Sequence, residues 1–194
     1  CDNVGYGDLG CYGNRQVKTP NIDRLAHQGV RCTDFYTASP TCSVSRASLL
    51  TGRYPQRHNV TFQLPGLAGN NGPGLDQREI LLPQLLQPVG YRTACFGKWN
   101  LGFAEGRRPT ERGFDEFFGH ASGLIDYYNH IYRGKLDMHR GTEQVRVTSY
   151  STYLFADAAC DFIRKHAEQP FFLYVPFNAA HYPNRANKAP GQEK

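Results

Sequence analysis

The sequence predicts an α/β domain, a mainly parallel sheet flanked by helices. Three observations carry that prediction. Stretches with helical apolar spacing alternate with short apolar runs suited to strands, and no internal repeat interrupts them. Cap and turn residues fall at the junctions between them. Two residues able to bear chemistry, Lys98 and His181, follow predicted strands, and ligands collect outside the carboxyl ends of strands in open parallel sheets.

Taken in order, Thr19-Pro20 opens a short helix with Ile22, Leu25 and Ala26 on one face and Gly29 at its end. The run from Val30 to Tyr36 reads as a strand. After Ser39-Pro40 a second helix starts near Cys42 or Ser43 and runs through Leu49 and Leu50 to Gly52, with Pro55 preventing continuation. Cys42 thus lies at a helix N-terminus. Glu79 to Val89 reads as a broken helix, and Gly90 turns the chain into a strand from Arg92 to Phe96 that stops at Gly97-Lys98-Trp99. Tyr150, Leu154, Phe155, Ala158, Phe162 and Ile163 recur at helical spacing between Tyr150 and His166. Phe171 to Phe177 is a continuous apolar run of the kind a strand buried on both faces shows.

Composition removes several function classes. The chain has 194 residues, 40% of them hydrophobic and 20% charged, which is the make-up of one globular domain or a large piece of one and excludes a disordered chain. No apolar run is long enough to span a membrane. The formal charge of +5 comes from scattered Lys and Arg, without the basic run of a nucleic-acid-binding arm, so it favours an anionic small substrate. Six cysteines at irregular spacing, without a C-x-x-C pair, argue against a zinc site and against a disulfide-stapled scaffold.

Chemistry concentrates in Cys42-Ser43-Val44-Ser45-Arg46, continuing to Leu49-Leu50-Thr51-Gly52-Arg53. On a helix Cys42 and Arg46 share a face, and the free N–H groups of the first turn point at whatever Cys42 holds, which suits an oxyanion. A buried cysteine acting as a small hydrophobe beside a surface arginine is the bland alternative. A thiolate phosphatase is disfavoured, because its phosphate-cradling loop needs more residues between Cys and Arg. His58, His120 and His130 read as structural histidines, as does the aromatic cluster at Tyr127 and Tyr128, while Asp126 and His130 are weak candidates for the substrate end.

Further segments stand out: Gly5-Tyr6-Gly7-Asp8-Leu9-Gly10 after Asp2-Asn3, Gly90-Tyr91-Arg92-Thr93 with Gly97-Lys98-Trp99, and Asn178-Ala179-Ala180-His181. Lys18-Thr19-Pro20-Asn21-Ile22-Asp23-Arg24-Leu25 and Arg112-Gly113-Phe114-Asp115 extend the pattern. Together with the Cys42 signature these segments resemble, in order, the N-terminal part of a formylglycine-dependent sulfatase, close to the arylsulfatase A and N-acetylgalactosamine-6-sulfatase branches. The resemblance implies an alkaline-phosphatase-like domain, with residues 1–194 as a partial sulfatase catalytic domain whose first strand and C-terminal part lie outside the chain.

It also implies a reaction. Cys42 is converted to formylglycine, whose hydrate attacks the sulfur of a sulfate ester of a sugar or aryl compound, and whose second oxygen then collapses to release sulfate. Ca²⁺, held by Asp2, Asn3 and the formylglycine at 42, polarises the sulfate. Arg46 and Lys98 steady the oxyanions, His181 binds the sulfate or assists the leaving group, and Asn100 joins Lys98 and His181 at the substrate. A formylglycine-generating or other sulfatase-maturing enzyme is the implied protein partner, and a periplasmic, secreted or lysosomal parent the implied location. Against the family pattern, Asn3 replaces a second aspartate, Val44 a proline and Asn100 a histidine that relays a proton. Two alternatives therefore stay open: a catalytically degenerate homologue that binds sulfated carbohydrate, and a related phosphoester or phosphonate hydrolase.

Overall fold

The computed structural model describes residues 2–65 and 72–181. Along them run helices α1 (Pro20–Gln28), α2 (Cys42–Thr51), α3 (Pro55–His58) and α4 (Leu82–Leu86), then strands β1 (Arg92–Lys98) and β2 (Glu116–His120). Short strands β3 (Ile131–Tyr132), β4 (Lys135–Leu136), β5 (His139–Arg140) and β6 (Glu143–Gln144) follow, and helix α5 (Ser151–Lys165) leads into β7 (Phe171–Tyr174). The main sheet has the order β6-β5-β2-β1-β7. Its long central strand β1 pairs parallel with β2 and β7, whereas β5 and β6 add an antiparallel hairpin at one edge. The sheet is therefore mixed, with a parallel centre.

Period-two alternation along β1 separates two cores. Cys95 joins Val44, Leu50, Trp99, Phe114 and Phe117 on the α2 side. Ala94 and Phe96 join Phe118, Ile125, Met138, Phe155 and Phe162 on the α5 side. Both faces of the central strands are covered by these packed layers, as parallel strands require.

The predicted helices form where their caps stand. Thr19, Pro20 and Gly29 bound α1; Gly52, at φ 66°, closes α2; and α5 buries Phe155, Ala159 and Phe162. The broken helix narrows to α4, with Pro83 in its first turn, followed by a short 3₁₀ turn at Gln87–Val89. Three strand expectations need correction. Val30 to Tyr36 is irregular, with Val30 92% exposed, because no strand among the described residues lies beside it to complete a ladder. The strand predicted for Arg92 to Phe96 continues through Gly97 to Lys98, so Lys98 ends the strand instead of following it. Phe171 to Phe177 is strand only as far as Tyr174 and is half-buried, since among the described residues it pairs with β1 alone and stands at the sheet edge, where Pro176 contributes no N–H.

Candidate active site

Helix α2 presents Cys42 as its first residue and Arg46 one turn further on. Thr41 precedes it in an extended conformation without a side-chain cap bond. Gln63 fills that role: its Oε1 accepts the N–H of Ser43 at 3.2 Å, and its Nε2 donates to Oδ1 of Asn100 at 3.5 Å. The N-terminus of α2, the positive end of the helix dipole, is thereby tied to the residues just past β1.

Lys98 reaches its place because two glycines let backbones close together. At Gly97, whose φ is 133°, a Cβ would stand 2.4 Å from the carbonyl oxygen of Pro176. At its register partner Gly119 a Cβ would lie 1.9 Å from the oxygen of Gly97. Without those side chains the Lys98 N–H donates to Pro176 O at 2.8 Å. The Lys98 side chain is then fully buried, and its ammonium contacts Oδ2 of Asp2.

Asp2 is brought in through its own backbone. Its N–H donates to Ala179 O at 3.0 Å, and the residue bridges Ala180 in parallel sense. Arg46 completes the knot: Nη1 donates to Lys98 O at 2.9 Å and to the Tyr174 hydroxyl at 3.2 Å, while Nη2 lies 3.6 Å from Asp2 Oδ2. Cys42 Sγ stands 3.8 Å from Asp2 Oδ1. Ligand atoms of Asp2, Cys42 and His181 all lie within 4.8 Å of one another. The Tyr127 hydroxyl is shared between the carbonyls of Asn178 at 3.1 Å and His181 at 3.0 Å, which steadies the turn that carries His181.

Electrostatics make this an anion-receptive centre. Burial pushes the Asp2 carboxyl up, but the Lys98 ammonium, assisted by Arg46 and His181, outweighs burial and holds it below the usual carboxylate range. One carboxylate thus faces two buried cations, and the surplus positive charge, beside a helix N-terminus, suits an incoming oxyanion. Burial also pushes the Tyr127 hydroxyl up to about 12, so it keeps its proton across the physiological range.

The structure thus gathers Asp2, Cys42, Arg46, Lys98 and His181 at one crevice. Asn3 lines the same cavity as Asp2 and Arg46, of about 430 Å³. Asn100, only 3% exposed and at φ 55°, reaches α2 through Gln63. On the other side of Cys42 a second cavity of about 450 Å³ opens between His181, Gln63, Gly123, Tyr132 and Arg133. Of the histidines read as structural, His58 and His130 have hydrogen-bond partners in the interior, whereas the ring nitrogens of the buried His120 have none among the described residues. His58 bonds Ser48 Oγ at 3.0 Å, and His130 bonds Ser149 O at 3.1 Å. Asp126 and His130 are buried at the foot of the β3–β4 hairpin and line neither cavity. Sequence reasoning missed Gln63, Tyr174 and the support role of Tyr127. Tyr174 is the one hydroxyl in its apolar run, a usable signal; Gln63 has none.

Fold and site together define an α/β domain with a positively charged crevice outside the carboxyl ends of parallel strands, arranged around a helix-N-terminal cysteine. The sulfatase family model matches residues 1–194, and the chain belongs to that family. Its likeness to N-acetylgalactosamine-6-sulfatase of Rattus norvegicus is 38% identity over 208 residues, covering 96% of this chain and 39% of the relative's length. The chain therefore spans well under half of such relatives. Among solved structures, Ps i-CgsB in complex with k-i-k-neocarrahexaose matches with a TM-score of 0.87 and 34% identity, over 94% of this chain and 44% of that one. BT4656 in complex with its substrate D-glucosamine-2-N,6-O-disulfate matches with a TM-score of 0.71 and 27% identity, over 91% and 32%.

Proposed function

We propose that the protein to which this chain belongs hydrolyses sulfate esters of a sugar or aryl compound at Cys42 matured to formylglycine. The observation that carries this reading is the pair of buried cations, Lys98 and Arg46, converging on one carboxylate beside Cys42. The sulfatase relatives, and the solved neighbours whose bound ligands are saccharides, support the same reading.

Cys42 is half-buried and borders both cavities, a position that suits formylglycine and leaves room for an ester to approach. Once matured, that position supplies a hydrated aldehyde, with one oxygen to attack sulfur and another to release the product. Asp2, the Asn3 carbonyl and an oxygen in place of the Cys42 sulfur make a hard donor set that would hold Ca²⁺, and such an ion would supply Lewis-acid polarisation of a sulfate. The chain's own residues do the rest. An arriving sulfate competes with Asp2 for Lys98 and Arg46, which bind its non-bridging oxygens and offset the charge that grows on them. His181, within 4.8 Å of the Asp2 carboxylate and the Cys42 sulfur, holds the sulfate or gives a proton to the departing alcohol. Asn100 and Gln63 tie the N-terminus of α2, and with it position 42, to the end of β1 that carries Lys98.

The residue types at positions 3, 44 and 100 favour one second reading, a homologue that binds sulfated carbohydrate without turnover. An amide at 100 cannot relay a proton. Val44, 1% exposed, packs in the core, yet sits in the first turn of α2, where a proline is tolerated. The mass of the Cys42 peptide after expression with a formylglycine-generating enzyme separates the readings. Aldehyde at 42 and faster turnover of an aryl sulfate than of the matched aryl phosphate by the full-length protein bear out the sulfatase. Unmodified cysteine in the native peptide, with conversion in a Val44→Pro variant, identifies the non-catalytic homologue. Location outside the cytoplasm, in a periplasmic, secreted or lysosomal setting, belongs to the same proposal; among the described residues no helix is long and apolar enough to cross a membrane.

A further inference from the structure

The second cavity beside Cys42 carries a charge the reaction does not use. It contains Arg133 and His181 but no Asp or Glu side chain among its described lining residues. At about 450 Å³ it lies within the range of roughly 300–1,000 Å³ typical of small-molecule sites. Arg133 forms the turn between β3 and β4 with Gly134, at φ 47° and 79°. Two-residue hairpin turns with this left-handed backbone favour Asn, Asp and Gly, so arginine is a costly choice for the turn alone. Its guanidinium lies over the Tyr132 ring, 5.4 Å from the centroid, and among the described residues no carboxylate pairs with it.

The hairpin is held firmly from below. Asp126 Oδ1 accepts the N–H groups of Tyr128 at 2.9 Å and Asn129 at 2.5 Å, and the Asp126 N–H donates to Ile131 O at 3.0 Å. The Asp137 N–H donates to His130 O at 2.8 Å. Among the described residues, Arg133 is therefore a guanidinium without a carboxylate partner, on a braced turn and over an aromatic ring, in a cavity that no Asp or Glu lines and that shares Cys42 and His181 with the reaction centre.

We infer that this cavity is a subsite for a second anionic group, so that the substrate is a saccharide carrying a sulfate or carboxylate besides the ester cleaved at position 42. Tyr132 faces the sugar and Arg133 pairs with the second anion. The inference deepens the sulfatase reading and rests on it for the identity of the first group.

Isothermal calorimetry and turnover on the full-length protein test it. Matched chondroitin, heparan and carrageenan disaccharides serve as probes, each with one and with two anionic groups. In the native protein the dianionic member of at least one pair binds about tenfold more tightly. In Arg133→Asn that preference falls to within about twofold, while Tm holds or rises because asparagine suits the left-handed turn. Arg133→Lys, a point charge without the planar fork, keeps part of the preference. Absence of a preference in every pair, or a preference that survives in Arg133→Asn, overturns the subsite. Because binding is read separately from hydrolysis, a protein that keeps the preference but turns over no sulfate ester refutes the sulfatase reading and leaves the subsite standing.

Discussion

Helices α1 and α2 are nearly equal in length, nine and ten residues, and equally well bounded, yet they live in different surroundings. The first has the cleaner amphipathic pattern and buries nothing: Leu25 is 70% exposed and Ile22 41%. The second has the weaker pattern and buries Ser43, Val44, Arg46, Ala47, Ser48 and Leu50. What holds the α1 region is polar. Asp23 Oδ1 accepts the Cys11 N–H at 2.7 Å and the Thr19 hydroxyl at 2.9 Å, and Thr19 Oγ1 accepts the Gly10 N–H at 2.8 Å. Around α2 it is apolar packing on the sheet. Chemistry follows the packing, because a helix anchored along one face by Val44, Ala47 and Leu50 can hold Cys42 and Arg46 steady beside the end of β1.

Five outcomes sharpen or break that contrast, and the largest lies in the α2 neighbourhood. Arg46→Ala or Lys98→Ala in the full-length protein lowers kcat/KM for a sulfate ester about 10²–10³-fold, the range for loss of one oxyanion donor, as steady-state kinetics will show. Next comes the core. Phe155→Ala, at a fully buried position, costs about 3–5 kcal/mol by denaturant unfolding. Leu25→Ala on α1 stays within about 0.5 kcal/mol; a cost near 2 kcal/mol in the longer protein would break the contrast by showing α1 covered there.

A third outcome concerns pH. Burial holds the His120 imidazole down at about 3, reinforced by Lys98 and Arg46 and opposed by Asp137. The unfolded chain takes up that proton near pH 6.5 while the folded one does not. Stability is therefore complete above about pH 6.5 and falls as pH drops toward 3, by up to about 1.4 kcal/mol per pH unit for this group. His58 and His130, also held low by burial, add to the same slope. Thermal melts between pH 7 and 5 should show the loss, and His120→Leu should flatten it. The depressed carboxyls act lower: Asp2, and Asp137 at about 2, contribute fully above about pH 4 and lose their contribution below it.

Smaller still is Tyr127→Phe, which frees the carbonyls of Asn178 and His181, costs about 1 kcal/mol and lowers kcat several-fold through a looser His181 turn. A fall in Tm without any change in kcat would show that the turn needs no such brace. Also small is Asp23→Asn within α1, about 1 kcal/mol or less in stability with no change in kcat; hydrogen exchange at Gly10 and Cys11 should report it.

Much of this was legible in the chain. Thr19, Pro20 and Gly29 for α1, Gly52 for α2 and the spacing through Phe155 and Phe162 for α5 are local signals, acting within a turn or two of the residues they organise, and so survive reading in one dimension. The i, i+4 placement of Cys42 and Arg46 is local as well, and Gly97-Lys98-Trp99 and Asn178-Ala179-Ala180-His181 resembled family text closely enough to mark their positions.

Tertiary structure decided the rest. That Lys98 closes on Asp2 across 96 positions of sequence, that Tyr174 receives Arg46, and that Gln63 caps a helix left uncapped by Thr41 depend on which backbones lie side by side. The same is true of failures: among the described residues Val30 to Tyr36 has strand composition but no ladder partner, and the apolar face of α1 has nothing packed over it. Local propensity is a property of the segment, whereas pairing, burial and the charge balance of a site belong to segments brought together from a distance, and only the fold supplies that neighbourhood.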